Sequence, residues 1–503
     1  MAHSKYLLGY DIGSSSIKAS LVRIEDGKCI ASAVSPKKEL EIRSDQPGWA
    51  EQHPDVWWEH VKIVTGDLLK KSSAQKQDIE AIGISYQMHG LVIIDQDKRV
   101  LRPAIIWCDS RAVNIGKKAF KALGQEFCLK HFLNSPGNFT ASKLKWIKEN
   151  EPEIYNKIYK MMLPGDFIAM KMTGQINTTI SGLSEGILWD YDQSKPAETL
   201  MNYYGIPMAL LPEAADCFEI HGTLTSRASE ELGLSMHTKV AYRAGDQPNN
   251  AFSLNVLQPG EAAATAGTSG VIYGVTDKPK FDRKSRVNSF VHVNHSKVQS
   301  RYGVLLCVNG TGIMNSWLKR TAGYDNSSFS YDRMNSLAAE ALVGSAGLVV
   351  LPFGNGAERI LENRDIGAHI YGLHFNRHNL SHLLRAGQEG IVFALNYGFG
   401  IMKEMGMDIR TVKAGQANMF LSPVFRKSFV NTTESILELY NTDGAQGAAR
   451  GAGIGSGVFL NPEEAFEGLE VLDVLEPEPG LTASYKEAYN HWLSSLKSLI
   501  NNE

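Results

Sequence analysis

The first residues alternate apolar and polar positions around one short turn: Tyr6, Leu7 and Leu8 lead to Ile12, then Ile17, Val22 and Ile24 follow, with Glu25-Asp26-Gly27 as a polar turn. β-branched residues at period two, bounded by turn residues, predict two or three antiparallel strands over 5–34. From Pro54 the pattern changes. Trp57, Val61, Val64 and Leu68 recur at spacings of four, three and four, a single apolar stripe at the helical period, so an amphipathic helix is predicted there. Ile79 to Ser85, Leu91 to Ile94 and Ala104 to Trp107 then read as strands, with a turn at Asp95-Gln96-Asp97-Lys98.

The second half restarts this grammar. Val240 to Gly245 predicts a strand, a short helix follows Pro248, and Glu261 to Ala266 and Val271 to Val275 flank a tight turn. Further on, His378 to Met405 carries a long helical pattern, Thr411-Val412-Lys413 a strand stub and Ser422 to Val430 a helix. Asp443 to Phe459 is helical and rich in small residues, which implies a very close neighbour. There is no short repeat of the solenoid kind, but a coarse twofold echo exists. Tyr10-Asp11-Ile12-Gly13-Ser14-Ser15-Ser16 and Thr265-Ala266-Gly267-Thr268-Ser269-Gly270 are both strand, small hydroxyl-rich turn, strand. Two related α/β domains facing a cleft, divided as 1–243 and 244–503, explain it.

Composition narrows the function classes. At 503 residues with 43% hydrophobic content the chain exceeds the size of one core, so at least two domains are expected. A net charge of -3, with both signs interspersed, supplies no basic stripe for nucleic acid. Cys29, Cys108, Cys128, Cys217 and Cys307 are odd in number and contain no CxxC pair, which predicts reduced, mostly buried thiols and no zinc site. The N-terminus shows no signal-peptide apolar core, and no apolar run reaches the ~20 residues that span a bilayer. A cytoplasmic protein is expected, without membrane or nucleic-acid partners, and the Asn138-Phe139-Thr140 acceptor pattern is accidental.

Six segments can carry chemistry. The turns Gly13-Ser14-Ser15-Ser16 and Gly267-Thr268-Ser269-Gly270 can offer backbone N–H groups and hydroxyls to an anion, with Lys18 one strand position beyond the first. Either alone reads as an ordinary hairpin turn; the pair, at matching places in each half, points to two jaws on a polyphosphate. Asp246 lies at a strand's carboxyl end, where α/β proteins hold ligands, and can accept a hydroxyl proton or cap the helix that Pro248 announces. Tyr86-Gln87-Met88-His89-Gly90 is a polar loop between apolar strands, fit for binding vicinal hydroxyls or for a structural histidine. Trp107-Cys108-Asp109-Ser110-Arg111 reads as a ligand-lining edge or an ion-paired strand end, and Gly415-Gln416-Ala417-Asn418 before Ser422-Pro423 as a glycine turn on which a flat base can rest. GxxxxGK[ST], GxSxG and metal-ligand spacings are absent, and the Gly451 to Gly457 glycines read as helix packing with no strand before them.

Taken in order, these segments resemble the FGGY carbohydrate kinases. The resemblance spans nearly the whole chain and implies two actin-like, ribonuclease-H-like domains with ATP and sugar in the cleft between them. It implies that Asp11 to Lys18 (Gly13, Ser14, Ser15, Ser16, Lys18) is the first phosphate motif and Gly267, Thr268 and Ser269 the second. Gly312, Gly415, Gln416 and Asn418 complete the ATP side, with Gln416 standing where family members carry glycine. Asp246 falls at the position of the catalytic base, and Asp11 at that of a Mg²⁺ ligand acting through water. Gln87, Met88, His89, Trp107, Asp109 and Asp246 would hold the sugar. The segments Tyr86 to Leu91, Arg102 to Arg111 and Leu163-Pro164-Gly165-Asp166-Phe167 are most similar to the D-xylulose-phosphorylating branch, whereas Gly245-Asp246-Gln247 has the style of the glycerol-phosphorylating one. Other ketose or polyol kinases, a non-catalytic ATP switch of the actin superfamily and a homodimer stay open.

Overall fold

The computed structural model describes residues 4–324 and 328–501. The first half begins with a meander of β1 (Tyr6–Ile12), β2 (Ile17–Arg23) and β3 (Cys29–Ser35), antiparallel throughout. Helix α1 (Pro54–Ser72) follows, and β4 (Ile79–Tyr86) returns parallel to β1. A helical insertion containing α2 (Thr140–Asn150), α3 (Pro164–Thr173) and α4 (Ile180–Glu185) precedes the short β5 (Gly222–Thr223) and β6 (Lys239–Gly245), which lies parallel to β4. The sheet order is β5-β6-β4-β1-β2-β3.

Helix α5 (Asp246–Ser253) follows β6, and the second sheet repeats the plan. β7 (Glu261–Ala266), β8 (Gly270–Thr276), β9 (Asn288–Val291) and β10 (Tyr302–Val308) precede α6 (Gly312–Ala322) and α7 (Leu380–Glu404). Then come β11 (Thr411–Gly415), α8 (Pro423–Thr433), β12 (Ile436–Tyr440), α9 (Gly444–Gly455), β13 (Val471–Leu475) and α10 (Pro479–Asn501). This sheet runs β9-β10-β8-β7-β11-β12-β13. In both sheets the first strand pairs antiparallel with the next strand of an antiparallel meander on one side, and on the other side two successive strands run parallel to it. The fold is the expected pair of ribonuclease-H-like, actin-like units.

Period two along β1 and β4 decides which face does what. Leu8, Tyr10 and Ile12 join Trp57, Val61, Val64 and Leu68 of α1 in one buried cluster. Leu7, Gly9 and Asp11 point the other way, as do Ala81, Gly83 and Ser85 of β4, and this second face receives α9. The small residues of α9 thus find their close neighbour in the opposite half: Gly451 lies against the Tyr242 ring and Gly455 against the Ala241 backbone of β6. A strand, β12, does precede this helix, contrary to expectation; its later glycines nevertheless face β6. The thiols also depart from expectation, since only Cys128 and Cys217 are buried, while Cys29 and Cys108 are exposed and Cys307 half-buried, all unpaired. Among the described residues no helix is long and apolar enough to cross a membrane.

Candidate active site

β1, β4 and β6 are adjacent, parallel and in register, so Ile12 aligns with Tyr86 and Tyr86 with Gly245. The residues just beyond these three carboxyl ends are Gly13 to Ser16, Gln87 to His89, and Asp246. Parallel pairing therefore brings together three segments that lie far apart in the chain, at the sheet edge where α/β folds hold ligands. The Gln87 N–H donates to the Ile12 carbonyl at 2.8 Å and fastens the second segment to the first.

The 87–89 loop is rigidly held. His89 takes a left-handed backbone, φ 62°, a conformation that persists only when its surroundings impose it. Here Glu185 imposes it: Oε1 accepts the His89 N–H at 3.3 Å, and the Glu185 carbonyl lies 2.9 Å from His89 Nδ1. A carbonyl only accepts, so Nδ1 carries the proton and Nε2 is left as an acceptor. Burial pushes the imidazole down to about 3, helped by the Lys143 and Arg359 charges, so it is neutral at working pH. Phe139 at 4.8 Å and Phe290, from β9 of the second half, at 5.4 Å wall the ring. Lys143 of α2 donates to the carbonyls of His89 at 2.8 Å and Ile106 at 2.9 Å. Gln87 is 2% exposed and neither side-chain amide atom has a hydrogen-bond partner, so this buried amide can still bind a ligand.

Asp246 opens α5, but Gly245 is the cap residue and no side chain caps the helix. Asp246 is thus the first helical residue and not the cap, although its carboxylate accepts the Gln247 N–H of the first turn. Burial, then the Asp11 carboxylate, pushes Asp246 up to about 7, although Gln247 hydrogen-bonds to it. Asp11 Oδ1 accepts the Ser85 hydroxyl at 3.0 Å. Burial and Asp443 raise Asp11, while Lys18, its partner across the β1–β2 ladder, opposes them. Crowded carboxylates of this kind fit a cation. Among the described residues no three His, Cys, Asp or Glu side chains could hold a metal by themselves.

Trp107 and Asp109 part company. Trp107 is 54% exposed and its Nε1 donates to Ser14 Oγ at 3.2 Å, so it leans over the first turn. Asp109 is fully buried: its carboxylate accepts from the Arg111 guanidinium at 2.7–3.0 Å and from the Ala50 N–H at 2.6 Å. The ion-paired strand end is the correct reading for Asp109, because an acidic group this deep needs that partner.

Across the cleft, a cavity of about 480 Å³ is walled by second-half residues. Gly267 and Thr268 of the second turn, Gly312 at the start of α6 and Asn418 line it, with Tyr331, Asn335 and Leu421. Gly312 N–H donates to the Gly267 carbonyl at 2.9 Å, locking α6 to the turn. Ser269 hydrogen-bonds to Cys307. Gly415 and Gln416 do not line this cavity: Gln416 is exposed, its N–H donating to the Tyr440 carbonyl, and Asn418 at φ 54° turns the chain inward in its place. The residues around His89 that sequence reasoning missed, Phe139, Lys143, Glu185 and Phe290, sit in the insertion and on β9.

Residues 6–253 match the N-terminal domain of the FGGY family of carbohydrate kinases and residues 262–447 its C-terminal domain. The chain is 31% identical to the xylulose kinase of Bacillus subtilis (strain 168), covering 92% of this chain and 91% of that protein. It is 28% identical to the xylulose kinase of Escherichia coli (strain K12), over 94% and 93%. Among solved structures, the xylulose kinase from Rhodospirillum rubrum superposes with a TM-score of 0.89 at 24% identity, over 98% of this chain and 99% of that one. Plasmodium falciparum glycerol kinase with ADP superposes with a TM-score of 0.87 at 19% identity, over 99% and 98%.

Proposed function

Because this chain belongs to the FGGY family of carbohydrate kinases, we propose that it transfers the γ-phosphoryl group of MgATP to a primary hydroxyl of D-xylulose, giving D-xylulose 5-phosphate. That it is a sugar kinase follows from the family; the sugar is our reading of its xylulose kinase relatives. The observation that carries the mechanism is Asp246, uncapping and raised to about 7 at the mouth of three strands. A base poised near neutrality accepts the hydroxyl proton as the oxygen attacks. The buried Gln87 amide, His89 Nε2 and Met88 orient the sugar, and Trp107 covers the first turn. Positioning is the main contribution available when bond-making in the transition state is loose.

The first half, 1–243, would hold the sugar and the second, 244–503, the nucleotide. Gly13 to Ser16 and Lys18 would meet the phosphates from one side, and Gly267, Thr268, Gly312 and Asn418 from the other. Asp11 would hold Mg²⁺ through water; the ion neutralises phosphate charge when bound. A coupled ADP-release assay over D-xylulose, D-ribulose, glycerol and D-gluconate tests the reading, with D-xylulose expected to have the highest kcat/KM. A win for glycerol or D-ribulose moves the chain to another branch of the family, and ATP turnover indifferent to every sugar would remove the kinase mechanism.

A further inference from the structure

The mechanism leaves a buried acid beside the 87–89 loop without a task. Glu185, the last residue of α4, is fully buried. Its backbone carbonyl and its Oε1 both engage His89, while Oε2 has no hydrogen-bond partner. Oε2 instead lies against Gly245, so close that a Cβ on Gly245 would collide with it; the same Cβ would sit 2.6 Å from Met88 Cγ. One side chain therefore touches the 87–89 loop on one flank and the residue preceding Asp246 on the other.

We propose that Glu185 is the positioning residue that sets the separation between the sugar-orienting loop and the catalytic carboxylate, holding His89 through Oε1 and stopping Gly245 with Oε2. The proposal rests on the reading of Asp246 and His89 given above. Three features support it. The left-handed His89 backbone needs an external constraint, and Glu185 supplies two of its three hydrogen bonds, Lys143 the third. A Cβ at 245 would meet Glu185 Oε2, so the acid limits how closely the Gly245 backbone approaches the 87–89 loop. The side chain also reaches both partners from a helix of the insertion, which is not part of either sheet.

Glu185 faces the carboxylates of Asp246 and Asp166, the Tyr86 and Tyr273 phenols and the Lys143 ammonium. Burial, reinforced by those two carboxylates, keeps it well above the usual carboxylate range. As a spacer of fixed length the side chain has Gln as its near-isostere, whereas Asp is one methylene short.

Steady-state kinetics on Glu185→Ala, Glu185→Asp and Glu185→Gln test this, with melting temperatures as a check on folding. We expect Ala and Asp to lower kcat/KM for the sugar by about thirtyfold or more, chiefly in kcat, with the ATP KM within about twofold of wild type. Gln should recover all but about fivefold of that loss. If Ala fails to fold, the contrast between Asp and Gln decides alone. Asp and Gln variants of equal activity, or losses shared equally between sugar and ATP, would overturn the proposal. Asp246→Asn separates the two readings: turnover in that variant defeats the base assignment, whereas an inert Asp246→Asn beside wild-type-like Glu185 variants defeats only this inference.

Discussion

Gly83 of β4 and Ala448 of α9 meet backbone to backbone, so closely that a methyl group on Gly83 would fall inside the Ala448 carbonyl. Gly9 of β1 stands in the same relation to Ala445. These contacts seat a helix of the second half on the sheet of the first, and they bring its first residue, Gly444, beside Asp11: a Cβ on Gly444 would lie 3.1 Å from the Asp11 carboxylate. The bridging helix is thus a gauge between the halves, read out at the site.

Gly83→Ala should accordingly do more than loosen packing. The obstructing atom is main chain and cannot rotate away, so α9 must move as a body. Overpacking of this kind typically destabilises by about 1–3 kcal/mol. Because the displaced helix begins at the Asp11 carboxylate, kcat should fall by about tenfold or more in protein that is still folded at assay temperature. Normal kcat with a lowered melting temperature would show that the helix seat and the site are independent.

Asp246→Asn is expected to lower kcat by about 10²–10⁴ while sugar binding survives within a few-fold. In the wild type, kcat/KM for the sugar should fall about tenfold per unit as pH drops below about 7, since the base is then protonated. Stability should move oppositely. The folded carboxyl titrates near 7 and the unfolded one near 3.8, so the burden of the buried charge is absent below about pH 4 and complete above about pH 7. Asn should raise unfolding free energy by about 1–3 kcal/mol at pH 8 and by nothing at pH 4, the partial exposure of the residue keeping the gain small. Equal melting curves for both proteins at pH 8 would return Asp246 to an ordinary solvated carboxylate.

The frame of the site was legible and its walls were not. β1, β4, β6 and α1 announce themselves by local period; Asp11 follows because it lies near the end of β1, and Gln87 to His89 and Asp246 because they stand directly after strands. Glu185 is 96 residues from His89, in a run of small and apolar residues with no motif, and Phe290 belongs to an edge strand of four residues. Their roles come from long-range packing, on which local period is silent. Asp109 misled for a related reason: the same Trp-Cys-Asp-Ser-Arg string suits an exposed edge or a buried pair, and only the depth of Arg111 decides. Gln416 lies just outside the lining of the second-half cavity, which Asn418, two residues later, joins.

Lys143→Met tests whether the loop needs its second anchor. Burial lowers this ammonium to about 7, and its three donors serve the His89 and Ile106 carbonyls. Met keeps most of the apolar stem but donates nothing, leaving the buried His89 carbonyl unpaired at about 1–3 kcal/mol, while the Ile106 carbonyl still accepts the Asp109 N–H. The sugar KM should rise by about tenfold or more, together with a lower melting temperature, while the ATP KM stays within about twofold. A sugar KM at the wild-type value would mean that Glu185 alone holds His89.

The nucleotide side is tested by Gly312→Ala. A Cβ there would fall onto the Gly267 carbonyl, the same atom that accepts the Gly312 N–H, while Ile313 N–H donates to Thr268 at 3.1 Å. The added methyl must prise α6 from the second turn and break this pair of bonds, opening the cavity where Gly267, Thr268 and Asn418 converge. Since none of these residues belongs to the 87–89 loop, the damage should be confined to the nucleotide. The ATP KM should rise by about tenfold or more, and the sugar KM should shift by less than about threefold. Equilibrium titration with a fluorescent ATP analogue separates weakened binding from slowed transfer. An unchanged nucleotide affinity would mean that ATP lies elsewhere in the cleft, and that the resemblance between the two hydroxyl-rich turns is one of architecture alone.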